Sequence, residues 1–230
     1  MRQIVFDTET TGREFKDGHR VLEIGCVEII ERRITGRTWH SYINPQRDSE
    51  EGALRVHGLS SDFLADKPLF KDIVDEFLQF ISGADLIAHN ADFDVGFLNN
   101  ELALVSKTLG KLEDYGQVID TLKLARSKHP GAKASLDALC RRYQVDNSKR
   151  DLHGALIDAD LLAQVYLLMT GGQKGLALGG ESALGRQQAE AVRMAAQWDL
   201  PVIYANEQEL QQHSAYLATL AKKSSKDISW

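Results

Sequence analysis

The stretch Arg2-Gln3-Ile4-Val5-Phe6-Asp7-Thr8-Glu9-Thr10-Thr11-Gly12 decides the reading of the fold. Residues 2 to 7 form a mostly apolar run of strand length, followed by the turn-prone Thr10-Thr11-Gly12. Side chains i and i+2 of a strand point to one face, roughly 6–7 Å apart at ~3.3 Å rise per residue, so Asp7 and Glu9 can share a site there. Acidic residues are poor strand formers, and their place at the end of an apolar strand calls for a reason. Alone, the pair reads equally well as a solvated strand end.

Outward from that strand, residues 21–30 and 37–43 read as two more, joined through the turn-prone Arg32-Arg33-Ile34-Thr35-Gly36. Together they make a three-stranded meander. From residue 68 to 82 the apolar positions Leu69, Ile73, Val74, Phe77, Leu78 and Ile81 recur at helical spacing, with Pro68 suited to the first turn and Gly83 to the cap. A short strand is expected over 85–89, a helix over 94–107, a strand over 117–120, and helices over 135–143 and 154–170, the last stopped by Gly171-Gly172. A meander followed by alternating helices and strands predicts an α/β fold, a mixed sheet flanked by helices.

Composition changes at Gly171. The division expected is a domain over 1–173, a Gly-rich linker over 174–185, and a small helical tail over 186–230. Within the tail, 186–198 and 207–222 read as helices with Pro201-Val202-Ile203-Tyr204 as a short strand between them. So short a piece seldom folds alone.

Hydrophobic residues at 43% and charged residues at 26% place the chain among ordinary globular proteins, and exclude a collagen-like or disordered class. No run reaches the ~18 apolar residues of a membrane span, and the start has no signal-peptide layout, so the cytoplasm is expected. Cys26 and Cys140 are far apart and in no metal-ligand spacing, which predicts core positions rather than a disulfide or zinc site. A net charge of −6 argues against a protein that coats nucleic acid unaided, because nonspecific affinity comes from Lys and Arg neutralising phosphates. An acidic enzyme can still act on DNA if it carries metal-binding carboxylates and borrows its grip from a partner.

Two further motifs carry carboxylates at element ends. His89-Asn90-Ala91-Asp92-Phe93-Asp94 sits at a strand-to-helix junction, where sheets of this kind bind ligands, although helix capping also explains an Asp there. His153 and Asp158 would lie ~140° apart on one helix, so they can face one site only if His153 is on the preceding loop and Asp158 on the first turns. Each signal is weak alone. Together, three such motifs with one His make a coherent site for two hard cations, since Mg²⁺ prefers oxygen ligands and two ions ~3.5–4 Å apart can clamp an in-line phosphoryl displacement.

Asp7-x-Glu9, His89-Asn90-x-x-Phe93-Asp94 and His153-x-x-x-x-Asp158 resemble the three exonuclease motifs of the DEDDh family, which has the ribonuclease H-like fold. The resemblance implies metal binding by Asp7, Glu9, Asp94 and Asp158, with His153 as general base, and two Mg²⁺ or Mn²⁺ ions per site. Asp92 falls outside the pattern and keeps its capping or solvated reading. Thr10-Thr11-Gly12, Val56-His57-Gly58, Ser135-Leu136-Asp137-Ala138-Leu139-Cys140 and Asn147-Ser148-Lys149-Arg150 resemble the epsilon subunits of bacterial DNA polymerase III more than ribonuclease T or oligoribonuclease. That likeness spans residues 2 to about 173. It implies 3′→5′ removal of nucleotides from single-stranded DNA ends, with Asp7, Glu9, Thr10, Val56, His57 and Asp158 against the 3′-terminal nucleotide. Epsilon-like sequences often carry an acidic substrate contact five residues before that His, where this chain has Gly52 with Glu51 beside it.

The same resemblance implies partners. The tail would bind the polymerase alpha subunit, Gln173-Lys174-Gly175-Leu176-Ala177-Leu178 would dock weakly into the sliding clamp because Leu178 replaces an aromatic ring, and a small theta-like subunit would be a further partner. An RNA-trimming exonuclease is the runner-up, against which the linker and tail speak. A noncatalytic scaffold is the reading from another class, and five intact site residues argue against it.

Overall fold

The computed structural model describes residues 1–148, 150, 152–171 and 205–224. The linker expected over 174–185, the clamp peptide Gln173 to Leu178, the helix expected over 186–198 and the strand expected over 201–204 lie outside the described residues. The chain forms two units, Met1–Gly175 and Leu176–Trp230.

In the first unit β1 (Arg2–Thr10), β2 (Val21–Ile30), β3 (Arg33–Tyr42), β4 (Asp85–Ala88) and β5 (Val118–Asp120) make one five-stranded sheet in the order β3-β2-β1-β4-β5. The first three strands are antiparallel, and β4 and β5 add in parallel on the other side of β1. Between β3 and β4 lie α1 (Glu51–His57), α2 (Ser61–Leu64) and α3 (Phe70–Ile81), and α4 (Ala91–Val105) connects β4 to β5. Three helices follow the sheet: α5 (Thr121–Lys128), α6 (Leu136–Tyr143) and α7 (Ala155–Thr170).

The period of two along β1 builds a core on each face. Ile4 and Phe6 pack with Cys26 against Phe77 of α3 and Phe97, Leu98 and Leu102 of α4. Val5 points the other way and packs with Val27 and Ile29 against Leu139 and Cys140 of α6 and Ala159, Leu162 and Val165 of α7. Both cysteines are therefore free core residues on opposite faces of the sheet. The mixed sheet flanked by helices expected from the sequence is the fold found.

Several expectations are corrected. β1 continues through the acidic pair to Thr10, with Asp7 opposite Gly25 and Glu9 opposite Glu23, because the ladder with β2 supplies backbone partners where propensity argues against strand. The meander turns at Glu31 and Arg32, both left-handed at φ 48° and 61°, as a tight hairpin requires, so β3 starts at Arg33 rather than 37. Gly36, read as part of the turn, lies inside β3 at φ 82°, where the register with β2 shifts. Finally, α1, α2 and α5 were not anticipated: none is longer than eight residues, and α1 buries only His57, so no apolar stripe announces them.

In the second unit a helix spans Glu207–Ser224, with Leu210 and Tyr216 exposed on it. Among the described residues no helix is long and apolar enough to cross a membrane.

Candidate active site

Since Val5 faces the α7 side of the sheet, Asp7 and Glu9 face it too, two and four residues further along. The start of α7 crosses β2 at Gly25, so closely that a Cβ there would stand 2.2 Å from the Leu156 nitrogen. This approach carries Asp158, in the first turn of α7 with its N–H donating to Gly154 O at 2.9 Å, over the acidic pair. From the other side, Asn90 in a left-handed conformation turns β4 sharply into α4, which begins at Ala91 rather than Asp94. Asp94 lies in that first turn, and its Oδ1 accepts from the Thr8 N–H at 3.1 Å and the Thr8 hydroxyl at 2.7 Å. His153 precedes α7, its N–H donating to Val56 O at 3.1 Å.

Asp7, Glu9, Asp94, His153 and Asp158 thus line one cleft of about 280 Å³. Glu9, Asp94 and Asp158 are buried. Burial, then the neighbouring charges of Asp94, Glu9 and Asp158, push the Asp7 carboxyl well above the usual carboxylate range. Glu9 is pushed up to about 8 by burial, then by Asp158, Glu23 and Asp94. Asp94 rises to about 7, mainly through burial, with the two Thr8 hydrogen bonds opposing. Four carboxylates in one cleft, three of them held above the usual range mainly by burial, suit hard cations that take oxygen ligands. Carboxylate oxygens of Glu9 and Asp158 and a ring nitrogen of His153 lie within 4.8 Å of one another, so the residues fit a divalent ion.

Beside it a second cleft of about 210 Å³ shares Thr8, Glu9 and Phe93 with the first, and adds Thr10, Val56, His57 and Glu50. The His57 Nδ1 accepts from the Leu59 N–H at 2.9 Å, so the neutral ring carries its proton on Nε2. That buried Nε2 has no protein partner among the described residues, and burial holds the ring below the usual imidazole range. His57 is therefore a neutral donor awaiting an acceptor.

The structure also sorts the neighbouring acids. Glu51, the residue beside the Gly52 position, points to solvent and pairs with Arg55 at 3.0 Å, whereas Glu50 lines the second cleft and is held by His19 Nε2 at 3.1 Å. Asp92 is exposed and pairs with Lys123 at 3.0 Å, outside both clefts. Sequence reasoning missed the parts played by Glu50, Thr8 and Arg150. Arg150 entered the sequence reading only as the end of the epsilon-like Asn147-Ser148-Lys149-Arg150, with no role of its own, yet its guanidinium turns inward onto Asp158 and onto Asp137 at 2.7 Å. The available signals were its membership of that motif and its place three residues before His153.

Three comparisons bear on this arrangement. Residues 4–166 match a family model described as exonuclease. Over 231 residues the chain is 49% identical to the DNA polymerase III subunit epsilon of Salmonella typhimurium and 46% identical to that of Escherichia coli, in each case covering 96% of this chain and 94% of the relative. The solved structure of exonuclease X in complex with 5′ overhanging duplex DNA aligns with a TM-score of 0.58 at 26% identity, covering 74% of this chain and 94% of that one.

Proposed function

The chain belongs to the exonuclease family and, within it, to the DNA polymerase III epsilon subunits, and from that premise we propose how its residues divide the work of a proofreading 3′→5′ exonuclease. The activity follows from the family. The assignment of residues rests above all on one observation: carboxylates from β1, α4 and α7 converge with His153 in a single cleft next to a second one lined by a buried ring N–H that has no partner among the described residues.

Enzymes of this family depend on a divalent metal. Asp7, Glu9, Asp94 and Asp158 would hold two Mg²⁺ or Mn²⁺ ions, which when bound supply Lewis-acid stabilisation to the phosphate and its leaving oxygen. The 3′-terminal nucleotide occupies the second cleft against Thr10 and Val56. There His57 Nε2–H donates to a sugar oxygen and the Glu50 carboxylate accepts from a sugar hydroxyl. His153, half exposed at the cleft mouth, takes a proton from the attacking water. The water oxygen bonds to phosphorus, the bond from phosphorus to the preceding 3′ oxygen breaks, and the terminal nucleotide leaves as a 5′-monophosphate.

The domain division 1–173, 174–185 and 186–230 belongs to the same reading. The tail engages the polymerase alpha subunit, Gln173 to Leu178 docks weakly into the sliding clamp, and a theta-like subunit completes the assembly in the cytoplasm. Tethering holds the nuclease at high local concentration by the primer end, which offsets the weak grip on DNA expected of a net charge of −6.

The test is degradation of a 3′-labelled single-stranded DNA and of the same sequence as RNA, with Mg²⁺ and with a chelator. Release of deoxynucleoside monophosphates only with the metal supports the proposal. Preference for RNA would move the chain to the RNA-trimming branch, and inactivity on both would make it a scaffold.

A further inference from the structure

The reaction above leaves one buried cation unused. The Arg150 side chain is only 8% exposed. Its Nε and Nη2 donate to the two oxygens of Asp158, the latter at 2.6 Å, and its Nη1 donates to Asp137 Oδ1 at 2.7 Å. Its Nη2 also lies 3.0 Å from His153 Nδ1. A guanidinium only donates, so the Nδ1 lone pair is the acceptor, and a neutral ring carries its proton on Nε2. One arginine therefore engages both oxygens of a carboxylate assigned to the metal and one lone pair of the residue assigned as base.

That fork is the strong form of a charge-assisted contact, two near-parallel N–H bonds to one carboxylate. A hard divalent cation needs the same oxygens, and a guanidinium this close would repel it. The two occupants compete for Asp158. Asp137, half exposed and holding Nη1, gives the guanidinium a second anchor on the far side of the contact. We propose that Arg150 is a resident counterion which a divalent cation displaces from Asp158 and His153, so that loading the site and freeing the His153 lone pair are one event. The inference rests on the reading of Asp158 as a metal ligand. Arg150 is here a positioning residue, and the rival role is a fixed pin between the loop before α7 and α6.

The experiment uses the full chain, free of metal at the start. In ¹⁵N-labelled protein the Arg150 Nε–H resonance is followed through a Mg²⁺ titration, and it should shift with the same midpoint as the heat of Mg²⁺ binding. Arg150→Gln should melt lower without metal and bind Mn²⁺ about tenfold more tightly than wild type, because a bidentate ionic contact no longer has to break. Arg150→Lys keeps the charge but cannot span both oxygens in one plane, and should fall between. Equal or weaker Mn²⁺ binding by Arg150→Gln assigns the arginine to pinning and overturns the proposal. Should that variant fail to fold, equal or weaker binding by Arg150→Lys, or a resonance that stays in place with the metal bound, overturns it instead. Wild type that binds no metal removes the metal reading and this inference together, whereas binding left unchanged by the variants removes only this inference.

Discussion

Gly25 and Leu156 meet backbone to backbone: a Cβ on Gly25 would stand 2.2 Å from the Leu156 nitrogen and 2.4 Å from its Cα. Gly25 is also the residue opposite Asp7 in the ladder, so the contact sets the height of α7, and with it Asp158, above the acidic pair. Gly25→Ala should destabilise the protein by about 1–3 kcal/mol, the usual cost of overpacking. Exonuclease activity should fall further than the melt explains, because Asp158 moves. Activity measured well below the melting temperature, beside the melt itself, checks this, and an active, merely less stable variant would show that α7 tolerates the shift.

The four carboxylates make a second prediction. Asp7→Ala or Glu9→Ala should reduce nuclease activity to background while leaving the fold intact, since each removes a ligand and also relieves a cluster of like charges. Without metal, both variants should melt no lower than wild type. Retained activity at Mg²⁺ concentrations that support wild type would end the assignment of these residues to the metals.

The pH dependence of stability follows from the same cluster, with an unusual sign. Asp7 is raised, Asp94 is raised to about 7 and Glu9 to about 8, so between the ordinary carboxylate range and pH 8 these three groups bind more protons in the folded protein than in the unfolded chain, outnumbering the lowered His57 and His89 that act the other way. The stability these three carboxyls contribute without metal is therefore fully present below that window and is lost as pH rises through it. Melting in chelator should fall from pH 5.5 to 8.5, and saturating Mg²⁺, which binds the deprotonated form, should reverse the trend. Glu9→Gln should flatten the slope in chelator; a slope unchanged by that substitution would place its origin elsewhere.

These predictions lean on features of unequal legibility. That Asp7 and Glu9 share a face follows from the period of a strand, and that His153 must precede the helix carrying Asp158 if the two are to face one site follows from 100° per residue. Local rules reach that far. The closeness of α7 to β2 depends on Gly25, which in sequence is one glycine inside a strand pattern. Glu50 and Glu51 look interchangeable in the sequence, and only the direction in which α1 leaves its N-cap turns one into the second cleft and the other toward Arg55. The inward turn of Arg150 depends on carboxylates from two different helices, so the pattern of neither helix alone contains its cause.

His153 supplies a fourth test. His153→Ala should lower the rate by roughly 10²–10⁴-fold, the range for general acid–base catalysis, with little change in metal binding if its part is to accept a proton. Single-turnover rates and a Mn²⁺ titration separate the two effects. A variant within a factor of a few of wild type would show that another group takes the proton.

The tail carries the last prediction. Helix Glu207–Ser224 presents Leu210 at 55% and Tyr216 at 62% exposure, although exposed apolar and aromatic side chains on a helix are the anchors by which such segments usually dock. The residues proposed for catalysis, by contrast, all lie in the unit Met1–Gly175. Binding to the polymerase and hydrolysis should therefore separate by truncation. Deleting residues 181–230 should leave hydrolysis of short single strands within about twofold of the full chain, since no side chain of either cleft is removed. The same deletion should abolish copurification with the polymerase alpha subunit and slow the removal of a mismatched primer end in its presence, because the local concentration conferred by the tether is lost. A truncated protein that still copurifies at the level of the full chain would put the contact in the nuclease unit, and the tail would need another role.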